Sequence, residues 1–589
     1  MNSALLKVGL GSCGIATGAL EVYDYFLSDE VKKNLNGFPL SVTKTSCIGL
    51  CFAEPIVEFC EGEKTIVYGS VDKKFAERII AGISSGALPA ENRIFDDEDV
   101  KKYVGPQVKL ALKNCGVIDP ESIGNYIEKN GYVALKKALF DMPNTKIIEI
   151  MKESGLRGRG GAGFLTGQKW EFLLKAKGEK KYLVCNADEG DPGAFMDRAI
   201  LEGDPHAVIE GMTIAARATG AQLGYIYCRA EYPLAIKRVK KAILDAKEKK
   251  FLGENIQGTD FSFDIILKEG AGAFVCGEET ALIMSIQGKR GMPTLRPPFP
   301  AEKGINELPT NINNVETYAN VPGIIANGAE YFNKYKSGNS TGTKVFALAG
   351  KVKRVGLVEV PMGITIREVV QEIGGGSSTK YPLKAVQLGG PAGGCIPETL
   401  FDTPINYESI NATGAIMGSG GLIVMDMSSC MVDVARYFLQ FTQNESCGKC
   451  TFCRIGTKRM LEILLRITEG KGSEDDIILL EELSNHVKKT SLCGLGQLAP
   501  NPVLTTLKYF RDEYIAHVKE KKCPAGVCRA LVKIIIDPEK CTGCTACAKA
   551  CSVNAIIGER KKAHVINNDV CVKCGICIQK CKFNAIYKK

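Results

Sequence analysis

Long apolar runs are missing from this 589-residue sequence. No stretch approaches the roughly 18 residues that cross a bilayer, so no membrane span is expected. The amino terminus, MNSALLKVGLG, has one lysine and no long apolar core, which argues against a secretory signal peptide. Long basic runs are missing as well. The net charge of +9 is a thin excess of 75 basic over 66 acidic residues, which excludes a nucleic-acid surface as the main function. What is abundant is glycine, at 63 residues, and cysteine, at 24. Most of the cysteines fall in tight metal-type spacings rather than in a disulfide framework, which predicts metal–thiolate chemistry in a reducing, cytoplasmic compartment. The length predicts about four or five domains, with multidomain α/β and α+β architecture.

The most informative stretch is Gly155–Trp170, GLRGRGGAGFLTGQKW, read with Asn186–Arg198, NADEGDPGAFMDR. The first is a glycine-rich turn leading to Lys169 on an expected helix. The second is an acidic loop after a short apolar strand, Tyr182–Cys185. Glycines let backbone N–H groups approach a phosphate, and a following helix N-terminus adds favourable partial charge. Gly158, Gly160 and Gly163 match G-x-G-x-x-G, but a dinucleotide fingerprint follows a strand, and here the preceding Asn144–Ser154 reads as a helix. The reading is therefore a phosphate cradle of another kind; on spacing alone a flexible loop fits equally well.

In chain order, residues 1–85 read as a small α/β domain, with strands at Leu5–Leu10, Leu40–Thr45, Pro55–Cys60 and Lys64–Tyr68 and helices at Gly18–Leu35 and Val71–Ile83. Cys13 follows the first strand, and Cys47 and Cys51 form C-x3-C. This resembles the thioredoxin-like [2Fe-2S] domain that accompanies NADH-oxidising complexes. The upstream partner of Cys13 is missing, and Cys60 replaces it only if its strand reaches the site. The domain is either a cluster carrier or a docking domain without a cluster. Residues 86–120, with acidic Asp96, Asp97, Glu98 and Asp99, read as a linker.

Residues 121–335 carry the glycine and acidic loops, then GAGAFVCGEET (270–280), GKRGMPTLRPPFP (288–300) and NNVET (313–317). Together and in this order they resemble the flavin-bearing NADH dehydrogenase subunit of respiratory complex I and its soluble relatives, from about residue 121 to 520. The resemblance implies FMN and NAD(H) or NADP(H) as cofactors. It places Gly158, Arg159, Gly160 and Gly161 at the FMN phosphate and ribityl chain. Lys169, Asn186, Asp188, Asn313 and Asn314 hold the flavin. Phe164, Phe172 and Phe299 sandwich the adenine, and Glu278 and Glu279 hold the nucleotide hydroxyls. The acidic loop, Asp188-Glu189-Gly190-Asp191-Pro192, has the shorter Asp191 where the family often has glutamate, and Arg296 stands where a lysine is common. These departures leave NADH or NADPH open. A flavin is the natural mediator between a hydride donor and one-electron clusters, so no catalytic acid or base is named; the protein stacks the reactants and tunes potentials.

Residues 340–425 read as a small β-rich domain, with strands in KVFALAG, GLVEVP and KAVQLGG and a helix at Thr365–Ile373. It resembles the ubiquitin-like β-grasp module of the same family. From 430 to 520 the pattern turns helical. Cys447, Cys450 and Cys453, with Cys493 forty residues on, suit a [4Fe-4S] cube or zinc; the resemblance of ESCGKCTFCRIGT selects iron–sulfur. Residues 521–530 read as a connector; its Cys523 and Cys528, with His517 just before it, suit zinc, with Cys430 or Cys395 as fourth ligand; two free thiols and a surface histidine are the alternative. Residues 531–589 repeat C-x2-C-x2-C-x3-C, the signature of a two-cluster ferredoxin, in which the fourth cysteine crosses over. One cube takes Cys541, Cys544, Cys547 and Cys581, the other Cys571, Cys574, Cys577 and Cys551, for three [4Fe-4S] in all. Cys115, Cys185, Cys228 and Cys276 read as small core residues.

This combination resembles the beta subunit of electron-bifurcating [FeFe]-hydrogenases and of related transhydrogenases and formate dehydrogenases. It implies a flavin-containing NAD(P)H dehydrogenase subunit in a hetero-oligomer. The implied partners are a catalytic iron–sulfur subunit of hydrogenase or formate dehydrogenase type, a small thioredoxin-like [2Fe-2S] subunit and ferredoxin. No hydrogenase active-site motif is present in the chain itself. A diaphorase feeding a linear chain, and a cluster-carrying hub with a degenerate flavin site, are the rival readings.

Overall fold

The structure is a computed structural model that describes residues 3–35, 37–96 and 98–588. Asp97 of the expected acidic linker and the first two residues lie outside this range. Among the described residues no helix is long and apolar enough to cross a membrane.

The N-terminal unit is a four-stranded sheet in the order Leu40–Thr45, Ala4–Gly9, Val57–Glu61, Lys64–Tyr68, the first pair parallel and the others antiparallel. Alternating Leu6, Val8 and Phe59 are buried against the helices Ala19–Leu27 and Lys73–Ser85. The helix expected over 18–35 is broken at Ser28, whose hydroxyl accepts the Val31 N–H and starts a second helix, Asp29–Asn34.

Residues 86–120 are tied down along their length and are not a free linker. A helix spans Glu98–Val104, and the buried Tyr103 hydroxyl lies 2.9 Å from the carbonyls of both Gly49 and Leu357. The backbone N–H groups of Leu110, Ala111 and Leu112 all donate to the buried Glu359 carboxylate at 2.9 Å. Three such bonds satisfy a charge that would otherwise be costly to bury. The segment fastens the N-terminal unit to the later β-rich unit. Composition hides this, because one partner in each bond is a backbone group, which every residue type carries.

The central unit is a four-stranded parallel sheet in the order Asp264–Gly270, Leu223–Arg229, Tyr182–Ala187, Thr310–Asn314. The helix Pro205–Thr219 is buried on almost every side, which its run of small and apolar residues permits. As expected, the glycine turn precedes this sheet, following the helix Asn144–Glu153 and leading into Thr166–Lys175. A parallel sheet of this order binds ligands in the crevice beyond the carboxyl ends of its strands, where the order reverses. Here that crevice opens between Tyr182–Ala187 and Thr310–Asn314.

The next unit is a five-stranded sheet, ordered Gly356–Pro361, Thr343–Gly350, Gly421–Asp426, Leu383–Leu388, Gly394–Pro397, whose second and third strands are parallel. A helical bundle follows (Met431–Asn444, Thr457–Thr468, Glu474–Thr490, Asn501–Tyr509, Arg511–Val518). The last unit is a pseudo-repeat. Its helices Ala546–Lys549 and Ile576–Lys580 each follow a positive-φ residue, Thr545 and Gly575. The N–H groups of Ala555 and Ala585 donate to the Sγ of Cys551 and Cys581 at 3.3 and 3.4 Å, which are matching positions in the two halves.

Candidate functional site

The carboxyl-end crevice collects most of the residues singled out above. Asn186 ends one strand and donates to the Gly277 carbonyl at 2.9 Å, while its own Oδ1 accepts the Asp188 N–H at 3.1 Å. Asn313 Oδ1 accepts from Trp170 Nε1 at 3.0 Å and from Asn311 at 2.6 Å. Asn314 caps the helix Val315–Asn327 through the Glu316 N–H and donates to Asp197 at 2.5 Å. Lys169 reaches across to the Ile312 carbonyl at 2.6 Å and pairs with Glu279.

The glycine turn is braced from the five-stranded unit. A Cβ on Gly163, at φ +66°, would lie 2.6 Å from the Tyr407 ring, and Tyr407 donates its hydroxyl proton to the Gly158 carbonyl at 2.9 Å. A Cβ on Gly160 would lie 3.1 Å from Asn314, and Gly161 pairs with Gly418. The turn is therefore held in one shape by its neighbours.

Two of the expected cofactor residues have their side chains engaged within the protein. Arg159 is fully buried, and its guanidinium donates to the carbonyls of Thr343, Arg157 and Thr341 at 3.0, 3.1 and 2.6 Å. It fastens the turn through these three carbonyls. Glu189 is also turned inward; its carboxylate accepts the N–H groups of Asp197 and Arg198 at 3.0 and 3.1 Å and stabilises the start of the helix Met196–Gly203. Both residues position the site from behind.

Asp188 and Asp191 remain at the crevice. Burial pushes the Asp188 carboxyl up to about 7 and Asp191 up to about 6. Among the described residues, Asp188 Oδ2 is buried with no partner, while Asp191 accepts from Ser419 at 2.8 Å. At the rim, Phe164 and Phe172 are about half exposed with ring centroids 6.3 Å apart, and Phe299 is equally exposed. Glu278 has one oxygen committed to the N–H groups of Thr280 and Ala281. Arg296 stands loosely by, 3.9 Å from Glu278 and 3.7 Å from Glu279.

Cys447, Cys450, Cys453 and Cys493 line one apolar cavity together with Val275 and Pro293. It is pinned to the central unit by Lys449, which donates to the Pro293 carbonyl at 2.6 Å, and by Glu445, which accepts the Phe274 N–H at 3.0 Å. In the C-terminal unit one cavity is lined by Cys541, Cys544, Cys547 and Cys581, and another by Cys551, Cys571, Cys574 and Cys577. The fourth cysteine of each run does lie across in the other half.

The ligand atoms of Cys430, His517, Cys523 and Cys528 lie within 4.8 Å of one another, all buried. Cys395 is not part of this group; its thiol donates to Gln387 Oε1 at 3.0 Å. His517 Nδ1 lies 2.7 Å from the Glu513 carbonyl, which fixes the ring with Nε2 toward the thiols. In the N-terminal unit, Cys47 and Cys51 are 4.0 Å apart with Cys13 beside Cys51. Cys60 is elsewhere, on the strand opposite Leu5 and bonded to Glu58. Cys115, Cys185, Cys228 and Cys276 are buried core residues as expected.

Residues 151–323 match the model of the Nuo51 FMN-binding domain, 433–517 that of the NADH-ubiquinone oxidoreductase-F iron-sulfur binding region, and 533–582 that of a 4Fe-4S dicluster domain. The chain is 58% identical over 458 residues to the NADP-reducing hydrogenase protein HndC of Solidesulfovibrio fructosivorans, covering 78% of this chain and 93% of the relative. The chain belongs to the complex I 51 kDa-type flavoprotein family. It is also 46% identical over 415 residues to an NADH-quinone oxidoreductase subunit of Rhizobium meliloti, covering 70% and 99% of the two chains. Among solved structures, the NAD+-reducing [NiFe]-hydrogenase in the H2-reduced state superposes with a TM-score of 0.62 at 28% identity, over 88% of this chain and 84% of that one.

As a member of the complex I 51 kDa-type family, the chain is an FMN and iron–sulfur oxidoreductase subunit. The crevice fits FMN: a rigid glycine cradle, paired asparagines at adjacent strand ends and an unpartnered buried carboxylate oxygen are all in place. Ser419, Tyr407 and the buried Lys344–Glu316 pair behind Asn314 also support the site and carry no motif of their own in the sequence. The glycine run at 418–421 was the one local signal; the others lie far away along the chain and meet the site only by folding.

Proposed function

We propose that the chain oxidises or reduces NAD(P)(H) at this crevice and passes electrons through Cys447, Cys450, Cys453 and Cys493 to two ferredoxin-type cubanes. One observation carries the reading. The short segment Phe274–Gly277 takes the Asn186 amide on its Gly277 carbonyl and lines the four-cysteine cavity with Val275. The crevice and the first cluster cavity thus share a wall. Bound FMN supplies the exchange between a two-electron hydride donor and one-electron carriers.

The chain's own residues orient and shield. The turn at Gly158–Gly161 presents backbone to the phosphate, Lys169 and the asparagines hold the ring system, and Phe164, Phe172 and Phe299 stack on the adenine. Cys430, His517, Cys523 and Cys528 form a closed Cys3His set of the kind that holds structural zinc; it clamps the ferredoxin-type unit to the bundle, while the five-stranded sheet serves as a β-grasp brace.

The similarity to a subunit of an NADP-reducing hydrogenase supports a hetero-oligomer with a hydrogenase-type catalytic partner; within it we propose that this chain is the cytoplasmic, electron-bifurcating core that couples NAD(P)H and ferredoxin to that partner, a reading that rests on the combination of motifs in the sequence. Anaerobic titration of the purified chain with NADH and with NADPH tests the dehydrogenase reading. Bleaching of the flavin, followed by reduced [4Fe-4S] signals in EPR, is expected with one nucleotide or both. A flavin-replete sample that neither nucleotide bleaches refutes it.

A further inference from the structure

We propose that the N-terminal unit holds a [2Fe-2S] cluster on three thiolates and one carboxylate, with Glu54 in the place of the missing fourth cysteine. The trio Cys13, Cys47 and Cys51 closes on itself between two loops. Cys47 and Cys51 are 4.0 Å apart and Cys13 is a hydrogen-bond neighbour of Cys51. Glu54 stands three residues beyond Cys51 and is 8% exposed. Its Oε2 accepts the Ile56 N–H at 3.1 Å, which fixes the side chain inward. Its Oε1 is buried with no partner among the described residues. The carboxyl faces the Cys47 thiol and lies close enough to Cys13 to feel its charge.

The loops are packed to admit this arm. A Cβ on Gly14 would lie 3.0 Å from Glu54 Oε2 and 2.4 Å from the Gly9 carbonyl, and one on Gly11 would lie 3.1 Å from the Cys47 Cβ. A buried carboxylate oxygen without a donor is costly unless it meets a cation. Ferric iron accepts oxygen ligands readily, and three thiolates plus one carboxylate carry the same charge as four thiolates, so the electrostatics of the usual four-cysteine site are kept. Two other candidates are engaged elsewhere: Cys60 lies on the strand opposite Leu5, and the hydroxyl of Ser12, next to Cys13, donates to Glu202. Arg198 approaches the Cys13 sulfur at 3.8 Å, and Glu202 accepts from the Ser12 N–H at 2.9 Å. Both belong to the helix that the acidic crevice loop initiates, so the site is docked directly on the flavin-binding unit.

This rests on the reading of the unit as a cluster carrier but not on nucleotide oxidation. The test compares the full-length protein with Glu54→Gln, Glu54→Cys and Cys51→Ser. It uses iron, zinc and acid-labile sulfide content, with EPR after dithionite reduction at a temperature that broadens the cubane signals away. The wild type is expected to hold a pair of iron atoms beyond the cubanes and to show a [2Fe-2S] signal. Glu54→Gln, which can still accept the Ile56 N–H, is expected to lose both, as is Cys51→Ser. Glu54→Cys is expected to keep the iron with shifted g values. The proposal is overturned if Glu54→Gln keeps the iron and an unchanged spectrum, if the wild type lacks the extra iron, or if zinc alone fills the site. Flavin bleaching by nucleotide, read on the same samples, separates this outcome from failure of the dehydrogenase reading.

Discussion

Asn186 and Gly277 are joined by one hydrogen bond of 2.9 Å, and that bond ties the strand end under the flavin crevice to the wall of the four-cysteine cavity. Cys493 closes the far side of the same cavity. Cys493→Ser is expected to leave flavin bleaching by nucleotide intact and to abolish onward reduction of the C-terminal cubanes. Stopped-flow absorbance with EPR reads both, and undiminished reduction of those cubanes would show that they are fed by another route.

Gly163 sets the shape of the cradle. Gly163→Ala places a methyl 2.6 Å from the Tyr407 ring at φ +66°. Overpacking costs about 1–3 kcal/mol, and the left-handed conformation adds about 1–2 kcal/mol for a non-glycine residue. The variant is expected to be purified largely without FMN while its iron content stays at the wild-type level. Full flavin occupancy would show that the turn is free to shift.

Arg296 is 37% exposed and makes only long contacts to Glu278 and Glu279, so its guanidinium is available to a ligand phosphate. A charge-assisted hydrogen bond is worth about 1.5–3 kcal/mol, or about 10- to 100-fold in affinity. Arg296→Ala is expected to raise KM for NADPH by that factor and to change KM for NADH by less than about 3-fold. Equal effects on the two nucleotides would remove Arg296 as the discriminating residue.

Asp188 is raised to about 7 by burial. A carboxyl with a higher pKa in the folded state binds more protons folded than unfolded between its two values. Its contribution to stability therefore falls as pH rises from about 4 to 7 and stays low above that window. The apoprotein is expected to lose thermal stability from pH 5 to 8, and Asp188→Asn to flatten that slope. Calorimetry at four pH values checks this; an identical slope in the variant would assign the effect to other carboxyls.

Cys430 and His517 come from opposite ends of the bundle, 87 positions apart, yet their ligand atoms are 3.4 Å apart. The purified chain is expected to carry one zinc, and Cys528→Ser or chelation to remove it. Loss of zinc is expected to speed proteolysis near residues 521–533 without lowering iron content. Equal cleavage rates with and without zinc would argue against a clamp.

The sequence by itself determined the cofactor-bearing motifs. Cysteine spacing and glycine turns are local, because a cluster or a phosphate draws several ligands from one short loop; the runs at 447–453, 541–551 and 571–581 were legible for that reason. The strands and helices that alternate in hydrophobicity were legible too, because their period repeats along the chain. Tertiary structure decided what no local pattern carries. It selected Cys430 over Cys395, turned Arg159 and Glu189 away from the crevice, made a packed strap of residues 86–120 and brought Glu54 to three thiols. In each case the deciding partner lies elsewhere in the fold, often on a backbone carbonyl or N–H that every residue type shares, and such partners leave no signature in composition or spacing.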